Sequence, residues 1–242
     1  MSITFEQLGI PFPLFEAPVK DASGYCGQRV CSLCHVAMAH CFHLGIGAYV
    51  IRACPSCDAT TGVSAGDCEA TVCSRCSAAV PFLAVPEGEV AACYACLRQG
   101  RAALTKDTVL GMVSWEQALE GVTHGIPGLS RSDFEMVPKE DGWVGARLPT
   151  TTMFELLRTP TYASIQGDLW QFCCRAPMIF VGSWTREDFT RNAKDQDGRR
   201  LFDEIVQERI PGLWEDELHD ETGIYVFRCA DCRRQTAHWD IA

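Results

Sequence analysis

Apolar positions in the second half of the chain recur with two periods. Leu201, Phe202, Ile205, Val206 and Ile210 fall three to four residues apart, which predicts a helix over Arg200–Ile210. Met153, Phe154, Leu156 and Leu157 cluster in the same way and predict a helix over Thr150–Arg158, stopped by Pro160. Two further helix starts carry caps: Ser114 with Gln117 three residues on, and Thr185 with Glu187 and Asp188 in the first turn. Met178–Gly182 and Ile224–Arg228 are short apolar runs that read as buried strands. Leu169–Cys174 reads as another strand, and Gln235–Asp240 as the return from Ile224–Arg228. These stripes build core.

The first half has a different texture. Val30 to Ile51 contains no Asp, Glu, Lys or Arg, a length that could span a bilayer. It also holds Cys31, Cys34, Cys41, His35, His40 and His43, and imidazoles in hydrocarbon are costly, so no membrane span is predicted. The first residues lack a basic start and an apolar run, and Glu6 and Glu16 interrupt them, unlike an export signal. The expected compartment is therefore the reducing cytoplasm, where dense cysteines serve metal binding more often than disulfides.

Cysteine is the dominant compositional signal, with 15 in 242 residues. Eleven precede residue 100; the others are Cys173, Cys174, Cys229 and Cys232. The expected organisation is a lead-in segment over 1–20, a tandem four-cysteine zinc module over 21–100, and an α/β body over 101–242. The predicted fold class is α+β: a tandem zinc ribbon or knuckle module followed by a mixed α/β body closed by a carboxy-terminal zinc knuckle.

Four Cys-x-x-Cys pairs lie in the module. Cys31 and Cys34 with Cys54 and Cys57 are expected to form one site, and Cys73 and Cys76 with Cys93 and Cys96 a second. The gaps of 19 residues (35–53) and 16 residues (77–92) both suit four-thiolate zinc sites. Each pair aims two sulfurs at one point, and two pairs complete a tetrahedron around a borderline-soft ion. A structural zinc contributes on the order of 10–16 kcal/mol to the folding of small zinc-binding peptides. Two structural zinc ions are expected, with a third at Cys229, Cys232 and at least one of Cys173 and Cys174. Adjacent residues on a strand point to opposite faces, so both of the latter could bind only across a bend. His219 or His238 could complete that third site, and Cys41, His35, His40 or His43 could replace a thiolate in the first. Cys26 and Cys68 read as spare thiols.

Four thiolates leave no position for a reacting water, so the sites read as structural. The sequence lacks HExxH, GxSxG, Walker and zinc-deaminase motifs. His124, within Gly121–Gly128, reads as a loop-satisfying residue, and Asp168, Glu187 and Asp188 as surface or capping residues. The net charge is −10, shared as −3 over residues 1–100 and −7 over the rest. That balance disfavours a phosphate backbone as partner and favours a basic one.

Three segments carry a family resemblance. Cys31-Ser-Leu-Cys34 with Cys54-Pro-Ser-Cys57-Asp58 resembles the amino-terminal zinc-type motif of the CbrC family, named after a bacterial colicin-tolerance protein. Arg158–Trp170, followed by Cys173-Cys174 and Ile179–Gly182, resembles its central segment, and Tyr225–Asp240 its carboxy-terminal knuckle. Ile165 stands where the family usually has an aromatic, and Phe172-Cys173 where it has His-Cys, with Cys174 available to compensate. The resemblance implies that Cys229 and Cys232 work with the central segment, and the family's name implies protection against a bacteriocin. The expected function is a non-enzymatic structural-zinc protein that binds another protein, a bacterial immunity or tolerance protein neutralising a toxin with a basic active face. The alternatives are a zinc-ribbon adaptor associated with nucleic acid or transcription, which the acidic module counts against, and a cysteine-dependent enzyme using Cys41 between His40 and His43.

Overall fold

The computed structural model describes residues 3–65, 71–80, 90–208, 212–215 and 222–241. Cys68, Ile210 and His219 lie outside the described residues. Small antiparallel sheets and a few short helices make it a mixed α+β protein. The chain forms two compact units, Gly24–Thr161 and Met1–Ser23 with Tyr162–Ala242. This division differs from the expected boundaries at residues 20 and 100, and strand pairing is the reason.

In the Gly24–Thr161 unit, strand Ala48–Ala53 pairs on one side with Thr60–Ser64 and on the other with Ala102–Leu104. Residues just past 100 are thereby tied to the cysteine-rich part. A second sheet runs Tyr25–Arg29, Ala39–His43, Ala91–Cys93. The uncharged run from Val30 is thus a Cys-x-x-Cys turn followed by two strands, and among the described residues no helix is long and apolar enough to cross a membrane.

Helix α1 (Tyr94–Arg98) follows the last strand of that sheet directly. Helix α2 (Trp115–Glu120) starts at the Ser114 capping box and ends on Gly121 in the left-handed region. Helix α3 (Thr150–Leu157) buries Met153, Leu156 and Leu157, as the periodicity predicts. Both guanidinium nitrogens of Arg98 donate to the Glu155 carboxylate, at 2.5 and 3.0 Å, which fixes α1 to α3. The glycine-rich loop is explained by backbone crowding. At Gly125, where φ is +92°, a Cβ would run into the Val144 carbonyl. Its neighbour His124 donates its backbone N–H to Met112 O (2.8 Å) and sets its ring edge-on to Trp143.

The other unit is built on a sheet in the order Ile179–Ser183, Thr222–Arg228, Gln235–Ile241. Helices α4 (Arg186–Asn192) and α5 (Gly198–Ile205) supply Phe189, Phe202 and Ile205 to a cluster with Ile224, Val226 and Ala237. Thr185 caps α4 reciprocally with Asp188. Helix α5 starts earlier than its apolar pattern because Asp197 accepts from Arg200 N (3.0 Å). It ends at Ile205, where Val206 turns extended and bridges to Ala237.

The lead-in residues belong to this unit's core. Glu16 N donates to Phe180 O and Phe180 N to Leu14 O, both at 2.9 Å, while the rings of Phe15 and Phe180 meet edge-on at 5.1 Å. Behind them Tyr162, Trp170, Tyr225 and Phe227 pack as one aromatic group. Phe202→Ala is expected to destabilise this unit by about 3–5 kcal/mol, measured as a lower urea midpoint at unchanged metal content.

Candidate metal centres

Four of the Cys-x-x-Cys pairs share one local conformation. In each, the residue after the second cysteine is left-handed: His35 (φ 59°), Asp58 (57°), Ser77 (58°) and Arg233 (62°). The first cysteine's N–H closes the turn on a carbonyl five residues on: Cys31 on Val36 (3.0 Å), Cys54 on Ala59 (2.8 Å), Cys73 on Ala78 (2.9 Å) and Cys229 on Arg234 (2.8 Å). These turns are knuckles that hold both sulfurs on one side of the chain and direct backbone N–H groups at them. Leu33 N reaches Cys31 Sγ at 3.4 Å and Ser56 N reaches Cys54 Sγ at 3.5 Å.

The fifth pair is different. Cys93 is the N-cap of α1 and Cys96 lies in its first turn. Three residues apart on a helix, they face the same way.

Among the described residues, twelve cysteines converge in three groups of four: Cys31, Cys34, Cys93 and Cys96; Cys54, Cys57, Cys73 and Cys76; and Cys173, Cys174, Cys229 and Cys232. Within each group the sulfurs all lie within 4.8 Å of one another. The pairing expected in the amino-terminal module is thereby corrected. Cys31 and Cys34 meet Cys93 and Cys96, not Cys54 and Cys57; the two middle pairs meet each other, so one centre is nested inside the other's loop.

The outer centre is assembled by the sheet. Ser32 N donates to Ala91 O (2.9 Å), Ala91 N to Ser32 Oγ (3.1 Å), and Cys93 N to Cys31 Sγ (3.3 Å). Strand Ala39–His43 pairs with Ala91–Cys93, bringing the start of α1 beside the first knuckle. The inner centre joins two knuckles, each entered from its own hairpin, and buries Cys54 and Cys73 with Val63 and Val80.

The third centre settles which of the adjacent cysteines is available. Of the expected strand Leu169–Cys174, Phe172–Cys173 forms a strand and Trp170 a single bridge. Cys174 and Arg175, at φ 52° and 63°, form the two-residue turn back to Ala176–Pro177. That turn is the bend needed for both sulfurs to face Cys229 and Cys232. Cys174 and Cys232 are exposed, whereas the outer centre is largely buried.

The alternative ligands lie elsewhere. His238 is in the aromatic core, its Nε2 3.0 Å from Tyr162 Oη, and burial pushes its imidazole down to about 4. Cys41, buried opposite Cys93, has its Sγ 3.8 Å from Arg29 O and falls outside the four-sulfur group. His40 pairs through Nδ1 with Tyr25 Oη at 2.5 Å, His35 is the left-handed knuckle residue, and His43 ends its strand; none of the three joins the group.

The sulfur spacing tests the fit to a metal. A tetrahedron of sulfurs about 2.3 Å from a zinc ion has edges of about 3.8 Å. Cys31–Cys96 are 3.8 Å apart, Cys34–Cys93 3.7 Å, Cys54–Cys76 3.6 Å, Cys57–Cys73 3.7 Å and Cys173–Cys232 3.6 Å. Three all-sulfur quartets of this size could hold metal ions and are compatible with zinc.

Proton affinities within the groups point the same way. Burial alone would raise Cys31, but the N–H groups of Cys93, Cys34 and Leu33 bring it down to about 7. The N–H groups of Arg75 and Cys76 lower Cys73 to about 6. The Arg234 N–H, then the Cys229 and Cys173 thiols, lower Cys232 to about 7. Their companions resist ionising. Burial, then Cys232 and its neighbours, pushes Cys173 up to about 12. Burial, then Cys34, raises Cys96. At Cys76 the Ala78 N–H pulls down, but Cys57, burial, Cys54 and Cys73 together carry the thiol up to about 12. In each group one sulfur, Cys31, Cys73 or Cys232, is thus shifted toward the thiolate form that a metal ligand needs.

A mixed α+β protein with three four-cysteine clusters, among the described residues, that could hold metal ions is the class these features define. The chain belongs to the uncharacterised protein family UPF0167, whose model matches residues 51–241. The match spans all of the inner and third centres and the helical half of the outer one; Cys31 and Cys34 precede it. No curated protein and no solved structure matches the chain.

With cadmium in place of the native ion, three ¹¹³Cd resonances are expected. Cys34→Ser and Cys93→Ser should perturb the same resonance, and Cys57→Ser and Cys73→Ser a different one; the opposite grouping would refute nesting. Because metal binding displaces protons from the thiols, affinity should fall as pH is lowered from 8 to 5, measured by competition with a chromophoric chelator.

Proposed function

We propose that this chain is a non-enzymatic, zinc-stabilised bacterial protein that works by binding another protein, and that the partner is a toxin or bacteriocin whose basic active face it covers. The observation that carries this reading is the completeness of the sulfur quartets: four thiolates at tetrahedral spacing fill an ion's coordination shell, which suits a scaffold rather than a reacting site. The net charge of −10 supplies long-range attraction for a basic partner. The resemblance to the colicin-tolerance family supports the toxin as the partner class, and a cytoplasmic location follows from that role.

Against the cysteine-enzyme alternative stands the environment of Cys41, whose thiol is pushed up to about 12 by burial first and by Cys31 and Cys93 next. A nucleophilic cysteine needs the opposite shift.

The test is co-expression with any toxin gene that adjoins this one. Growth rescue and a co-purifying complex are expected, with an association rate that falls as salt is raised. A toxin that is neither bound nor relieved removes the reading.

A further inference from the structure

Charge on this chain is unevenly placed. Acids outnumber bases by ten, so most cations should find a carboxylate. Arg98, Arg147, Arg191, Arg199 and Arg228 do so. In the unit that contains the third metal centre, however, one concavity of about 460 Å³ collects Lys194, Arg200, Arg233 and Arg234. Among the described residues its carboxylates are Asp195 and Glu204, so four cations face two anions there, a balance of +2. Arg200 is paired with Asp195. No ion pair among the described residues involves Lys194, Arg233 or Arg234.

Three elements converge to make this wall. Lys194 lies between α4 and α5, Arg200 and Glu204 lie on α5, and Arg233 and Arg234 follow the second cysteine of the carboxy-terminal knuckle. Their backbone placement is therefore set by the knuckle: Arg233 is its left-handed residue, and Arg234 O closes the turn on Cys229 N (2.8 Å). Asn192 and Gln235 add neutral hydrogen-bonding groups, and Ala193, Leu201 and Ile205 add an apolar share of the lining.

Uncompensated cations held around one hollow repel each other, and an anion relieves that repulsion. Guanidinium groups bind phosphate oxygens through paired N–H donors, while an ammonium adds a point charge. A phosphomonoester carries about −1.5 to −2 at neutral pH, which matches the balance of the wall. A hollow of this volume falls in the range of small-ligand sites, and its compactness does not suit a nucleic-acid track. From this convergence we infer that the hollow between α5 and the carboxy-terminal knuckle is a binding site for a small phosphomonoester of nucleotide size, held by Lys194, Arg233 and Arg234. The site is independent of the toxin reading and can fail or stand without it.

The experiment uses full-length, metal-loaded protein and adenosine monophosphate as the probe, with adenosine and citrate as controls. Saturable binding is expected, with ¹⁵N shifts confined to amides near 192–195, 200–205 and 233–235. Adenosine should give no shifts, and citrate at least tenfold weaker binding. Arg234→Gln with Lys194→Gln should weaken adenosine monophosphate at least tenfold while the metal content stays that of the parent. Lys194→Gln alone, which leaves the knuckle untouched, should weaken it at least threefold. The inference is overturned by an absence of saturable shifts, by shifts centred elsewhere, by citrate binding equally well, or by unchanged affinity in Lys194→Gln. Tighter binding of single-stranded DNA through residues outside the hollow would also overturn it.

Discussion

Packing four sulfurs at van der Waals range is the constraint on which the structure depends. Ionised thiols at 3.6–3.8 Å repel one another, and protonated ones supply little attraction. A divalent cation would reverse the sign of that interaction, and each of the three quartets among the described residues could hold one. The knuckle turns aim N–H groups at sulfurs of each set, which favours the thiolate form at Cys31, Cys73 and Cys232. Much of the cysteine-rich part has only two- to six-residue strands and small cores around it. Its geometry is therefore that of loops gathered at a point rather than of layers closing over an interior.

The centres differ in what they hold. The outer one clasps a knuckle to the start of α1, and through the Arg98–Glu155 pair the same helix is fixed to α3. The inner one closes two hairpins on each other. In the other unit the quartet joins a hairpin tip to the end of a sheet that already has an aromatic core. There the sulfurs are more exposed, and the turn that carries them also carries two arginines into the adjoining hollow. An ion in that place organises surface as much as core.

Local signals were legible wherever a few neighbouring residues decide the outcome. The capped starts at Ser114 and Thr185, the apolar face of Thr150–Leu157 and the strands at Ile179 and Ile224 all follow from short-range pattern. The loop glycine at 125 could be flagged but not explained, because the Val144 carbonyl that excludes a side chain comes from a strand far along the chain. The role of Phe5, Phe12 and Phe15 was missed because they share no helical or strand period. They are buried by isolated turns and bridges against Phe180.

By itself the sequence determined that the cysteines come in pairs, that most of those pairs are turns, and that their residue type and spacing suit metal binding. Residue type and a spacing of three are enough for that. Which pairs meet was decided only in three dimensions. The gaps of 19 and 16 residues that favoured sequential pairing are matched by the 15 residues between Cys57 and Cys73, so spacing could not choose. A hint lay in Cys93–Gly100, whose Leu, Arg and Gln continue a helix where the other pairs turn. The choice itself came from the register of Ala39–His43 on Ala91–Cys93, a hydrogen-bonded contact across some fifty residues that no local pattern encodes. In the same way the Cys174–Arg175 turn, not the apolar run before it, brought two adjacent sulfurs to one point.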